Sequence, residues 1–244
     1  MVKNMLAQFA VAVAGTAAIA LGMSGAAQAD TVIDTTQSWN GSSTISSFGE
    51  NGTPTYGQTF TVGEDNVLTE FSFFLNDWNS NWGNGSASPI NFAAYVMQWD
   101  GAKALGDILW QSSPQSTTQA SGLEQFTFNT GGTVLTQGAK YVAFFSTLGL
   151  WDRNFDAGET GHVWSDVYSG GEFVFSNNAS SIEQLSQVTW DGRWFTSTDM
   201  AFTAKFSSES QAVPEPGNVA VLLGLGAMGA GATLKKKLAS SRNA

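Results

Sequence analysis

Apolar residues in this chain recur at every second position in short runs, and Gly, Asn, Asp or Ser closes each run. Successive side chains of a strand point to opposite faces, so this spacing predicts sheet with a buried face. The clearest runs are YGQTFTV (56–62), VLTEFSFFL (67–75), INFAAYVMQW (90–99), LEQFTFN (123–129), KYVAFFST (140–147), GEFVFS (171–176) and DMAFTAKF (199–206). In the second of these, Phe71, Phe73 and Leu75 share one face while Glu70 and Ser72 share the other. STISSF (43–48) and DILWQS (107–112) are shorter candidates, and no stretch of the body holds helical periodicity for three turns. Eight or nine strands predict an all-β fold over 30–206, an antiparallel β-sandwich of jelly-roll-like type. An up-and-down barrel is the other architecture the pattern allows. Two long insertions, 76–89 and 148–171, interrupt the runs and are read as loops, where a binding surface is expected on a rigid sandwich.

The two ends are built differently. Lys3 opens a short positive region, Leu6 to Met23 is uncharged and rich in alanine, and Ala27-Gln28-Ala29 forms a small-x-small cleavage site. This layout predicts a secretory signal-peptide helix over 1–29. At the other end, SSESQA (207–212) is a polar spacer, followed by Val213-Pro214-Glu215-Pro216, an uncharged run to Leu234, and Lys235, Lys236 and Lys237. A helix from Val219 to Leu234 would be roughly 24 Å long against a hydrocarbon core of roughly 30 Å. That is a short transmembrane helix, which the lysines lengthen by snorkelling and orient by staying on the cytoplasmic side.

Residues 213–244 resemble the PEP-CTERM sorting signal of Gram-negative bacteria in all three parts: the Pro-Glu-Pro motif, the Gly/Leu/Ala-rich segment and the terminal lysine cluster. The resemblance implies a substrate of an exosortase, a membrane transpeptidase that acts near Pro-Glu-Pro. Such a chain is exported, held transiently at the inner membrane, and then displayed at the cell surface or released outside, often where extracellular polysaccharide is made. The succession GQTFTV, LTEFSFFL, FAAYVMQWDG, TGGTVLTQGAKYVAFF also resembles uncharacterised domains that precede such tails. Those domains are similar to galactose-binding-like sandwiches, which often carry a structural calcium.

Charge narrows the partners. Between residues 30 and 212 there are five Lys and Arg against nineteen Asp and Glu, a net charge of −14. Nucleic acid is therefore a poor partner, and divalent cations or neutral glycans are better ones. The chain has no cysteine, which removes disulfides and thiolate metal sites.

No catalytic residue is assigned. His162 is the single histidine, and GHVWSD matches no nucleophile or metal motif. Carbohydrate binding has more support. Trp78 and Trp82 lie in a Gly/Asn/Ser-rich loop, Trp151 lies in the second long loop, and Trp190 and Trp194 flank TWDGRWF. Sugar rings stack on flat aromatic faces while polar neighbours bond the hydroxyls, a part Asn76, Asp77, Asp191 and Arg193 could play. Against this, large aromatics also fold back to cap the open ends of a sandwich. DRNFDAGE places Asp152, Asn154, Asp156 and Glu159 in one turn, an oxygen-rich set suited to calcium, although Asp and Asn are equally good turn residues. Two other classes stay open: a secreted two-carboxylate glycosidase, and a structural surface protein self-associating along strand edges.

Overall fold

The computed structural model describes residues 31–77, 89–118, 122–154, 156–191 and 198–208. The expected leader, Trp78, Trp82, Arg193, Trp194 and the sorting signal with Val213, Pro214, Glu215, Pro216 and Lys235 to Lys237 lie outside the described residues.

The described chain is all-β, with thirteen strands and two short 3-10 turns. The strands are β1 (Thr31–Asp34), β2 (Thr44–Phe48), β3 (Thr55–Thr61), β4 (Val67–Asp77), β5 (Asn91–Trp99), β6 (Ala104–Gln111) and β7 (Gln115–Ser116), then β8 (Glu124–Val134), β9 (Lys140–Ser146), β10 (Gly158–Val163), β11 (Phe173–Ser176), β12 (Asp199–Met200) and β13 (Thr203–Ser207). They form two antiparallel sheets. The first is organised on β4, which pairs with β8 along one side, and with β13 and then β10 along the other. β1 extends it beyond β13, and β2 and β12 flank β10. The second sheet runs β11, β3, β9, β5, β6, with β7 also on β5.

Phenylalanines from both sheets meet between them. Phe71 and Phe73 of β4, Phe206 of β13, Phe60 of β3, Phe92 of β5 and Phe145 of β9 belong to one buried cluster. Phe48 and Phe145 stack edge to face at 4.6 Å, and Phe73 approaches Phe145 at 4.8 Å. Such pairs add about 1 kcal/mol each beyond the area they bury.

Strands β5 and β9 are buried on both faces. Along β9, Tyr141, Ala143 and Phe145 join the cluster between the sheets, while Val142 and Phe144 join a second cluster with Ala93, Tyr95, Met97 and Trp99 of β5. Leu185 and Trp190, from the segment after β11, cover that outer face. The near-continuous apolar text of FAAYVM and YVAFF is what a strand buried on both faces requires.

One expectation is corrected. The insertion 148–171 contains β10, which pairs with β2, β4 and β12. Its sequence, GETGHV, shows no apolar alternation because at Gly158 and Gly161 the backbone passes too close to its neighbours for a side chain, and polar Thr160 and His162 fill buried positions beside them. A Cβ on Gly158 would lie 1.8 Å from the Asn76 carbonyl oxygen. The other insertion is shortened in the same way, since Asn76 and Asp77 are the last residues of β4.

Candidate functional site

Among the described residues, the turn from β9 to β10 carries the most exposed aromatic ring, Trp151. Trp151 is 56% exposed, and its indole Nε1 donates to Thr147 Oγ1 at 3.2 Å, which fixes the ring while leaving it open to solvent. Asp152, Arg153 and Asn154 follow it and are exposed.

Carboxylates hold this turn in shape. The Glu50 side chain, from the turn after β2, accepts from the backbone N–H groups of Asp152 and Arg153. In return the Asp156 carboxylate accepts from the Glu50 N–H at 3.2 Å, and the Asn51 N–H donates to the Asp156 carbonyl at 3.1 Å. The two turns can approach this closely because Gly49 sits between them at φ +139°. A Cβ there would fall 2.5 Å from the Asp156 carbonyl oxygen. Asp152 also accepts from the Asn91 amide of β5 at 3.1 Å, tying the turn to the second sheet.

The result is a trio of carboxylates, Glu50, Asp152 and Asp156, with an oxygen of each within 4.8 Å of the others. Asp156 is buried, and that burial, with the neighbouring charges of Glu50, Asp152 and Asp77 adding to it, pushes its pKa up to about 6. Three close acidic oxygens with a buried member form a donor set that a hard divalent cation suits, since its charge would offset both the burial and the repulsion that raise Asp156.

This trio differs from the set expected for calcium. Asp152 and Asp156 belong to it, but Glu159 faces Asn76, whose side-chain oxygen accepts from the Glu159 N–H at 2.8 Å and whose amide donates to the Glu159 carboxylate at 3.3 Å. Asn154 donates its backbone N–H to the Asp152 carboxylate at 3.0 Å. Glu50 was missed because it is remote in sequence and stands alone in a Gly-rich turn; only the pairing of β2 with β10 brings it near.

The expected sugar-binding residues divide in the same way. Trp190 is buried; its Nε1 donates to the Leu185 carbonyl at 2.8 Å and its ring packs edge-on against Trp99 and Phe144. It therefore offers no face to a ligand and acts as a cap on the second sheet, the alternative use of a large aromatic. Asp77 is buried and accepts from Thr117 Oγ1 at 2.6 Å. Asn76 is engaged with Glu159, and Asp191 forms a backbone bridge to Phe175. His162 is fully buried in β10 against Phe173, and loss of hydration lowers its pKa to about 4. One exposed tryptophan was not singled out from the sequence at all: Trp164, 55% exposed, directly after β10.

No protein-family model matches the chain, and no curated protein matches its sequence. Among solved structures, the cysteine protease and lectin-like domains of Cwp84, a surface layer associated protein of Clostridium difficile, match with a TM-score of 0.41 and 10% identity. The alignment covers 64% of this chain and 32% of that one, so this chain spans about a third of that structure's length. A likeness at this level does not extend to function.

Proposed function

We propose that this is an exported, non-catalytic surface protein that binds neutral polysaccharide at the Trp151 turn. The observation that carries the reading is an indole ring pinned at its Nε1 with its face in solvent, beside Asp152, Arg153 and Asn154. Stacking on the ring supplies apolar contact to a sugar, and the polar neighbours supply directional bonds to its hydroxyls. Because the turn is already ordered by Glu50 and Asp156, little conformational entropy is lost on binding. In this reading calcium binds at Glu50, Asp152 and Asp156 and stiffens the turn further. The PEP-CTERM-like tail supplies delivery: a brief hold at the inner membrane, processing by an exosortase near Pro214-Glu215-Pro216, and display or release outside the cell.

A glycan-array screen of the full chain in detergent, with and without calcium, tests the reading. Saturable binding accompanied by a change in tryptophan fluorescence supports it, and well-folded protein that binds no neutral glycan contradicts it. The alternative reading is a polysaccharide hydrolase, with two carboxylates facing each other about 5 to 10 Å apart across a cleft. Release of new reducing ends from a bound polymer would select that reading instead.

A further inference from the structure

We propose that the Trp151 turn is one end of a longer sugar-binding strip, continued across the end of the second sheet by Asn91 of β5 and Ser116 of β7, which selects the interior of a linear neutral polysaccharide. This inference rests on the reading of Trp151 as a sugar platform and names the class of ligand that the platform takes.

The strip is a single hydrogen-bonded row. Ser116 Oγ donates to Asn91 Oδ1 at 2.6 Å, Asn91 Nδ2 donates to Asp152 Oδ2 at 3.1 Å, and Asp152 directly follows Trp151. Topology lays the row out across the sheet. β5 has β9 on one side and β7 on the other, with Asn91 opposite Ser116, and Asp152 belongs to the turn that follows β9. Paired strands lie about 4.8 Å apart, and Asp152 and the indole lie beyond Asn91 from Ser116, so the row is longer than one sugar ring. Trp151, Asp152 and Ser116 are exposed and Asn91 is partly exposed, which makes the row a feature of the surface.

The backbone holds the row in one arrangement. Among the described residues, Arg153 is the one non-glycine residue at positive φ, +68°. Such a conformation is disfavoured for a residue with a side chain and persists where its surroundings fix it. Here the Glu50 carboxylate accepts from the Arg153 N–H at 3.1 Å and from the Asp152 N–H. The Asp152 carboxylate is fixed in turn, since its Oδ1 accepts from the Asn154 N–H at 3.0 Å and its Oδ2 reaches Asn91. A ligand meeting the strip finds its contacts already placed.

Each polar group in the row keeps capacity for a ligand. Ser116 Oγ has given its proton to Asn91 and can accept, Asn91 Nδ2 has a second N–H to donate, and Asp152 Oδ2 has a further lone pair. The strip therefore presents acceptor, donor and acceptor in succession, which suits sugar hydroxyls because they do both. Bonds aligned in a chain polarise one another and strengthen what each group offers. Exposed groups at both ends of the strip let a polymer continue past it in each direction, so interior units are what it contacts. The body's net charge of −14 repels acidic polymers, which leaves a neutral one.

The test is isothermal titration calorimetry of the full chain, in a detergent without a sugar headgroup and at constant calcium, against linear β-linked gluco- and manno-oligosaccharides of two and of six units. In at least one series the six-unit ligand should bind at least tenfold more tightly than the two-unit ligand. Ser116→Ala and Asn91→Ala should each lower six-unit affinity at least fivefold and leave two-unit affinity unchanged, whereas Trp151→Ala should weaken both at least tenfold. Equal wild-type affinity for the two lengths, or full six-unit affinity in Ser116→Ala, would overturn the strip and leave the Trp151 platform standing. A loss shared equally by both lengths in Asn91→Ala would make that residue a prop for the Trp151 turn and overturn its place in the strip. Absence of wild-type binding to every oligosaccharide and to the parent polymers would remove platform and strip together.

Discussion

Burial keeps the His162 imidazole neutral, with a pKa near 4 against 6.5 in the unfolded chain. Between those values the unfolded chain holds the extra proton, so stability contributed by this residue is present above pH 6.5 and is lost as the pH falls toward 4. The shift corresponds to about 3 kcal/mol in all. Asp156 works in the opposite sense: its raised pKa means the folded chain binds the extra proton between 3.8 and about 6, and stability falls as the pH rises through that window. The two effects overlap between pH 4 and 6 and partly cancel. In Asp156→Asn the histidine should therefore emerge more clearly, with denaturation midpoints falling from pH 6.5 to 4. That fall should be lost once His162→Gln is added, leaving the opposite-signed contribution of Asp199, whose carboxyl is also held above its usual range by burial. Calcium at the trio should reverse the sign for Asp156, raising the melting temperature of the wild type at pH 7 and leaving Asp156→Asn unmoved.

Two tryptophans separate structural from functional roles at the scale of an element. Trp190 closes the outer face of β5 and β9, so Trp190→Ala should cost about 3 to 5 kcal/mol in chemical denaturation. Trp151 covers nothing comparable, and Trp151→Ala should change stability by no more than about 0.5 kcal/mol. The sequence does not distinguish them, because both stand beside Asp; exposure depends on whether the segment that carries the ring folds onto a sheet, as the one from Leu185 to Asp191 does. Strands such as β4 and β9 were legible because their apolar residues fill a core. β10 was not, since glycine, threonine and glutamate at close backbone contacts leave no periodic trace. The same strand decides the candidate site: Asp152 and Asp156 were legible as oxygen ligands in one turn, whereas Glu50 joins them only through a pairing between distant segments. Trp164 was passed over for a related reason, as it lies at the end of a strand that the pattern concealed.

For the whole molecule, the proposal joins an acidic all-β body to an address at its C-terminal end. The body supplies a rigid frame, with polar turns held by carboxylates at both ends of β10. The address predicts its own phenotype: replacing Pro214-Glu215-Pro216 with Ala-Ala-Ala in a host with an active exosortase should leave the chain membrane-bound and uncleaved, as fractionation and immunoblotting would read. Cleaved protein outside the cell from that variant would contradict the sorting proposal without touching the binding one. Binding itself is tested most directly by affinity electrophoresis of the full chain through gels containing neutral polysaccharide, comparing wild type with Trp151→Ala. The account predicts that the wild type is retarded and that the variant, equally stable, loses at least tenfold in affinity at the Trp151 turn. Equal retardation of the two proteins, or none of either, would contradict it.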